Sequence, residues 1–254
     1  MGPADLALTA LAALVIGALI GAIGIGGVLL APWLTHVIGL PVRDAIVLCS
    51  FAFIGTGVVA LAISMRSRRG TPVPRDAPSA NWPLVLATAP GALLGALALA
   101  VISGRIALGL LAALTITVGI QSLLGPTGSR SSGMQALSRP GIPVGSFTGF
   151  SSALTGTGGP MVLMPLLVWR QVPMRDAILL GQTVQLPIAL MATAGNLYLG
   201  GVDVAAGAAI GLMLVPGALA GNRLAGLLPV TVLTRVVGIT LLAAGVVFVT
   251  KAAA

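Results

Sequence analysis

The sequence predicts an all-α protein: a polytopic transmembrane helical bundle of two inverted-topology repeats with broken or re-entrant helices. Three observations predict it. Of the 254 residues, 57% are hydrophobic and only 7% charged, with a mean hydropathy of +1.10. The apolar residues fall in runs close to the ~20 needed to cross a bilayer. Finally, the second part of the chain restates glycine, proline and Arg-Asp motifs of the first in the same order.

A soluble domain carries roughly 25% charged residues to cover its surface. This chain falls far below that, which excludes a soluble enzyme, a disulfide scaffold and a disordered chain. The net charge of +8 does not indicate a nucleic-acid partner. Arg66, Arg68, Arg69 and Arg75 share one loop and the other basic residues sit singly near helix ends, the pattern of charges flanking membrane spans. All five acids are Asp, and Cys49 is the only cysteine, so neither a disulfide framework nor a thiolate metal site can form. No Lys or Arg precedes the first apolar run at Leu6. A cleaved signal peptide needs that positive region, so the run is expected to be a retained helix.

In chain order, hydropathy and helix breakers place apolar segments at 6–23, 28–40, 45–64, 82–101, 106–124, 142–155, 160–169, 177–199, 204–222 and 231–250. The second, sixth and seventh are too short to span, are bounded by Gly or Pro, and read as half-helices or re-entrant pieces. Only loops 65–81 and 125–141 are polar over any length. The expected organisation is a first transmembrane repeat (1–124), a cytoplasmic linker (125–141) and a second transmembrane repeat (142–254). With loop 65–81 placed in the cytoplasm and the crossings alternated, ten basic residues lie inside and three outside, a strong positive-inside bias.

The repeat is explicit. Gly24-Ile25-Gly26-Gly27 recurs 132 positions later as Gly156-Thr157-Gly158-Gly159, and LPVRDAI (40–46) recurs at the same displacement as VPMRDAI (172–178). PGALLGA (90–96) returns as PGALAGN (216–222), displaced by 126, because loop 65–81 shrinks to a turn at Gly200-Gly201. Each half contains an odd number of effective crossings, so the halves should be inverted. Inverted repeats with helices broken at matching positions point to a secondary transporter with a midplane site.

The glycine motifs carry the expected chemistry. A break in a membrane helix frees backbone groups that hydrocarbon cannot satisfy, so Gly24, Gly26, Gly27, Gly156, Gly158 and Gly159 must face protein, water or ligand. The half-helix after each break would direct N–H groups and a positive dipole end at the same spot. That suits a small anion held without a buried charge. Gly17/Gly21, Gly91/Gly95 and Gly217/Gly221 are instead expected to pack helices.

Polar residues within the apolar runs supply further candidates: Ser50 in the first half, and Thr157, Gln182, Thr183 and Gln185 in the second. Ser and Thr commonly bond the preceding turn, whereas a buried Gln amide needs partners. Arg43 and Arg175 begin the helices after Pro41 and Pro173, where they either snorkel to the interface or capture anions at a vestibule. His36, the only histidine, is a further vestibule candidate. No acidic residue lies mid-membrane, and no metal or cofactor is expected. The expected partners are a small anionic substrate and the lipid bilayer, with a homodimer left open.

The chain resembles the sulfite exporter TauE/SafE family, also called the 4-toluenesulfonate uptake permease family. The likeness rests on its length, its tandem repeat and a glycine-rich element followed by proline in each half: Gly24 to Gly27 with Pro32, and Gly156 to Gly159 with Pro165. A following step matches at Gly39-Leu40-Pro41 with Ala45, and at Val172-Pro173 with Ala177. The third glycine of the element is replaced by Val28 and by Pro160, and the usual Thr-Ser pair by Cys49-Ser50 and Gly181-Gln182. The resemblance implies transport of small sulfur-containing anions such as sulfite or sulfonates, and it implies no enzymatic activity. An anion channel and a non-transporting assembly or sensor subunit remain as alternatives. An intramembrane hydrolase would need a nucleophile and base, and the motifs supply no such pair.

Overall fold

A computed structural model describes residues 3–24, 26–69, 82–124, 141–169, 172, 174–200, 203–225 and 229, with scattered positions between 231 and 250. The elements are α1 (Pro3–Ile23), a 3-10 turn (Gly26–Leu29) running into α2 (Leu30–His36), α3 (Val42–Arg69), α4 (Trp82–Val101), α5 (Gly104–Leu124), α6 (Gly141–Thr155), α7 (Pro160–Trp169), α8 (Met174–Tyr198) and α9 (Val204–Ala225). The described positions between 231 and 250 are helical, and no strand occurs among the described residues.

The protein is an all-α membrane bundle. Val42–Ile63, Trp82–Val101 and Val204–Leu224 are long and apolar enough to cross a membrane, and Leu8–Ala22 is a shorter apolar stretch. Leu, Val and Ile side chains stand exposed on the outer faces of these helices, where lipid rather than water is the natural solvent. The ten residues of α7 rise only about 15 Å, half of the ~30 Å hydrocarbon core. The expected short segments are short in the structure. One expected boundary is corrected: α3 runs on to Arg69, into the stretch read as loop 65–81. The remainder of that loop and residues 125–140 lie outside the described residues.

Two close helix pairs organise the bundle. A Cβ added to Gly17 or Gly21 of α1 would strike the carbonyls of Leu214 or Ala218 of α9, and one on Gly217 or Gly221 would strike those of Leu14 or Ala18. In the other pair, Gly91 and Gly95 of α4 lie against the carbonyls of Ser146 and Phe150 of α6, and Gly145 and Gly149 lie against those of Leu84 and Thr88. In both pairs the contacting numbers rise together, so the partners run parallel. Only glycine lets the backbones approach this closely, and the expected packing glycines do this work.

The pairs correspond to one another. Moving α1 forward by 132 and α9 back by 126 carries Gly17–Leu214, Leu14–Gly217 and Ala18–Gly221 onto Gly149–Thr88, Ser146–Gly91 and Phe150–Gly95. Each half thus packs its first helix against a later helix of the other, α1 on α9 and α6 on α4. Pro90 within α4 and Pro216 within α9 occupy matching positions. Between the pairs, α3 and α8 cross at the centre, and α5 packs more peripherally.

Helix starts use ordinary chemistry. Asp203 caps α9 by accepting from the Ala206 N–H at 3.0 Å, which relieves one orphan donor of the first turn. Core packing centres on Phe53, Leu30, Leu34, Met161 and Leu163, all fully buried in one cluster, with Ile46 in a second, smaller one.

Candidate functional site

The two glycine motifs meet. In the first, α1 ends at Ile23 and Gly24 turns with φ +80°. In the second, α6 ends at Thr155 and Gly156, Gly158 and Gly159 take φ values of +66°, +82° and +103°. Such angles are costly for any residue with a Cβ. A Cβ on Gly27 would lie 3.1 Å from the Thr157 carbonyl oxygen, and one on Gly24 would lie 3.5 Å from Pro160. The breaks from the two halves are therefore in direct contact at the centre.

The donor supply differs from the sequence expectation. In α7, Pro160 has no N–H, and the amides of Val162 and Leu163 both donate to the Gly159 carbonyl at 3.1 Å. The first break continues through the 3-10 turn at Gly26–Leu29 into the seven-residue α2, not directly into an α-helical N-terminus. The breaks are present and in contact, and in the second the Gly159 carbonyl takes up two first-turn amides of α7.

Side chains tie the breaks to the long helices. Gln182 of α8 donates through Nε2 to the carbonyls of Ile20 (3.4 Å) and Gly21 (3.3 Å) near the end of α1, the first of which also accepts from the Gly24 N–H at 2.8 Å. Thr155 donates to the Ser151 carbonyl at 2.7 Å. Thr157 must then be the donor in its 3.1 Å contact with Thr155. Thr56 of α3 donates to the Phe53 carbonyl at 3.1 Å and accepts from Gln185 Nε2 of α8 at 2.8 Å. Because the Thr56 proton is already committed, the amide of Gln185 can only donate there. Its Oε1 is left buried without a partner.

Sequence reasoning missed Phe53 and Thr56. The Phe53 ring lies between the breaks: a Cβ on Gly27 would come within 3.0 Å of it, and one on Gly158 within 3.1 Å. An aromatic in an apolar run carries no signal of such a position. Thr56 could have been noticed as a hydroxyl in the first half, but its partner is 129 positions away.

Of the other expected residues, Ser50 is buried on α3 and donates to the Ile46 carbonyl at 3.1 Å, and Thr183 is buried on α8. Gly26, Gly27, Ser50, Gln182, Thr183 and Gln185 all belong to the buried centre with the second-half motif. Two of the vestibule candidates do not join it. Arg43 is exposed on the first turn of α3, and His36 is half-buried at the far end of α2. The side chain of Arg175 lies outside the described residues. No group of His, Cys, Asp or Glu that could hold a metal occurs among the described residues.

A bundle with two broken helices touching at its centre, closed there by neutral polar side chains and one aromatic ring, has the build of a membrane transporter. A family model described as sulfite exporter TauE/SafE matches residues 10–248. The chain belongs to the sulfite exporter TauE/SafE family. No curated protein and no solved structure matches it.

Proposed function

We propose that this chain is a secondary transporter that carries small sulfur-containing anions, such as sulfite or a sulfonate, across the cell membrane through the centre of the bundle. Membership of a sulfite exporter family supports the substrate class. The single observation that carries the mechanism is the contact between the two broken-helix motifs, Gly27 against Thr157. Residues 1–124 and 142–254 are read as repeats of inverted topology joined by linker 125–141. In support, the lining of two small voids sets Ser50 and Phe53 of α3 beside Ile188 and Ala192 of α8, and Thr56 and Ala60 beside Gln182. These equivalent helices therefore run antiparallel.

The substrate is held by neutral dipoles. Gln182, Thr157, Ser50 and the backbone at Gly156, Gly158 and Gly159 are the contacting groups in this reading, with Thr183 and Gln185 beside them. The hydroxyl protons that Thr157 and Ser50 give to Thr155 and to the Ile46 carbonyl turn to the substrate when it binds. Neutral donors suit a mobile anion because release requires no buried ion pair to be broken. Arg43, Arg175 and His36 then serve at the mouths, where a basic group raises the local anion concentration.

The test is counterflow of radiolabelled sulfite into proteoliposomes preloaded with unlabelled sulfite. Saturable, transient accumulation of label is expected. A conductive flux without counterflow would instead identify a channel. No movement of sulfite, thiosulfate or any sulfonate would leave the non-transporting assembly role.

A further inference from the structure

Two small voids lie within the bundle, each with room for about one water molecule. One is lined by Ser50, Phe53, Ser152, Gly156, Ile188 and Ala192. The other is lined by Ile20, Gly21, Thr56, Ala60 and Gln182. The repeat relates five lining residues of one to five of the other. A displacement of 132 carries Ile20, Gly21, Thr56 and Ala60 onto Ser152, Ala153, Ile188 and Ala192, and carries Ser50 onto Gln182. Equivalent packing of the two repeats thus leaves a void at the same place in each.

We propose that the two voids are a pair of substrate half-sites on opposite sides of a barrier made by Phe53 and the Thr56–Gln185 pair, and that Ser152 supplies the free hydroxyl donor of the half-site beside Ser50. The proposal rests on the transporter reading above and specifies where its substrate pauses. Ser152 is 1% exposed and its Oγ has no partner, although buried hydroxyls are ordinarily bonded. A small oxyanion entering that void would accept from it. In the other void the equivalent of Ser50 is Gln182, whose amide already reaches the Ile20 and Gly21 carbonyls. Ser50 is too short for this and bonds Ile46 of its own helix. The half-site beside Ser50 therefore keeps an uncommitted hydroxyl in Ser152, and the half-site beside Gln182 has its amide held by α1 until the substrate competes for it.

The barrier is asymmetric in the same terms. Displacement by 132 carries Phe53 onto Gln185, so one repeat contributes a ring and the other an amide. Neither void has room for an oxyanion as packed, and the ring, which lines the void beside Ser50 and lies against Gly27 and Gly158, must withdraw for substrate to pass from one void to the other.

The test uses Ser152→Cys and Gln182→Cys, each combined with Cys49→Ala, in right-side-out and inside-out vesicles. The probe is methanethiosulfonate ethylsulfonate, an impermeant thiol reagent that is itself a small sulfonate. Ala60→Cys, in the same void as Gln182, replaces that position if Gln182→Cys does not fold. The two voids should label from opposite membrane faces. Labelling tracks the population of the open form, so adding Phe53→Ala should raise the rate by about tenfold or more and open each position to both faces. Labelling of both from one face with Phe53 in place, or no response to Phe53→Ala, overturns the proposal. Sulfite should also slow labelling at Ser152→Cys; no slowing in protein that performs counterflow overturns the half-site assignment. If the face-specific pattern holds but counterflow fails, the transporter reading falls and the paired voids stand.

Discussion

Gln185 donates its amide to the Thr56 hydroxyl at 2.8 Å, joining the middle of α8 to the middle of α3. Thr56 passes its own proton to the Phe53 carbonyl, so the pair orients the helix segment that carries the central ring. Membrane-embedded pairs of this kind are worth about 0.6 kcal/mol on average and up to ~1.7. Thr56→Val and Gln185→Leu should each lower the thermal stability of detergent-solubilised protein. The double variant should cost less than the sum of the two, and additive losses would show that the bond carries no coupling.

Gln182 holds the broken end of α1 through two carbonyls. Replacing it with Leu removes those bonds and, in the proposed function, a substrate contact. Gln182→Leu should weaken sulfite binding by about 1–3 kcal/mol, the typical cost of leaving buried groups unpaired, and should lower stability at the same time. Unchanged affinity with reduced stability would assign Gln182 to holding α1 alone.

Gly158 and Gly95 make opposite predictions from the same residue type. Gly158 has φ +82° and faces the Phe53 ring, so Gly158→Leu should abolish transport. Gly95 lies mid-helix against the Phe150 carbonyl, and the overpacking of Gly95→Ala should cost about 1–3 kcal/mol of stability without changing apparent affinity in the protein that remains folded. Transport retained by Gly158→Leu would refute the broken-helix site.

The charge distribution predicts sidedness. With loop 65–81 and linker 125–141 in the cytoplasm, ten basic residues lie inside against three outside, and that orientation is the one expected. With Cys49→Ala as background, cysteines at Ser67 and Ser131 should resist an impermeant thiol reagent in intact cells, whereas one at Tyr198 should react. Labelling at position 67 or 131 from outside would reverse the topology.

The sequence by itself determined the membrane class, the short segments, the repeat and the places where its helices break. Each is written locally: an apolar run of spanning length, a glycine cluster, or a proline recurring at the displacement of its neighbours. It also separated two kinds of glycine, because GIGG (24–27) interrupts a helix whereas Gly17/Gly21 keep helical spacing. What only the tertiary structure decided is which groups those breaks meet. Val162 and Leu163 turn back to Gly159, Thr157 donates to Thr155, Gln182 reaches α1, and the Phe53 ring lies between the two motifs. These partners come from residues up to 162 positions apart. A buried polar group takes whichever donor or acceptor packing brings within about 3 Å, and packing across two interleaved halves leaves no periodic mark in the chain.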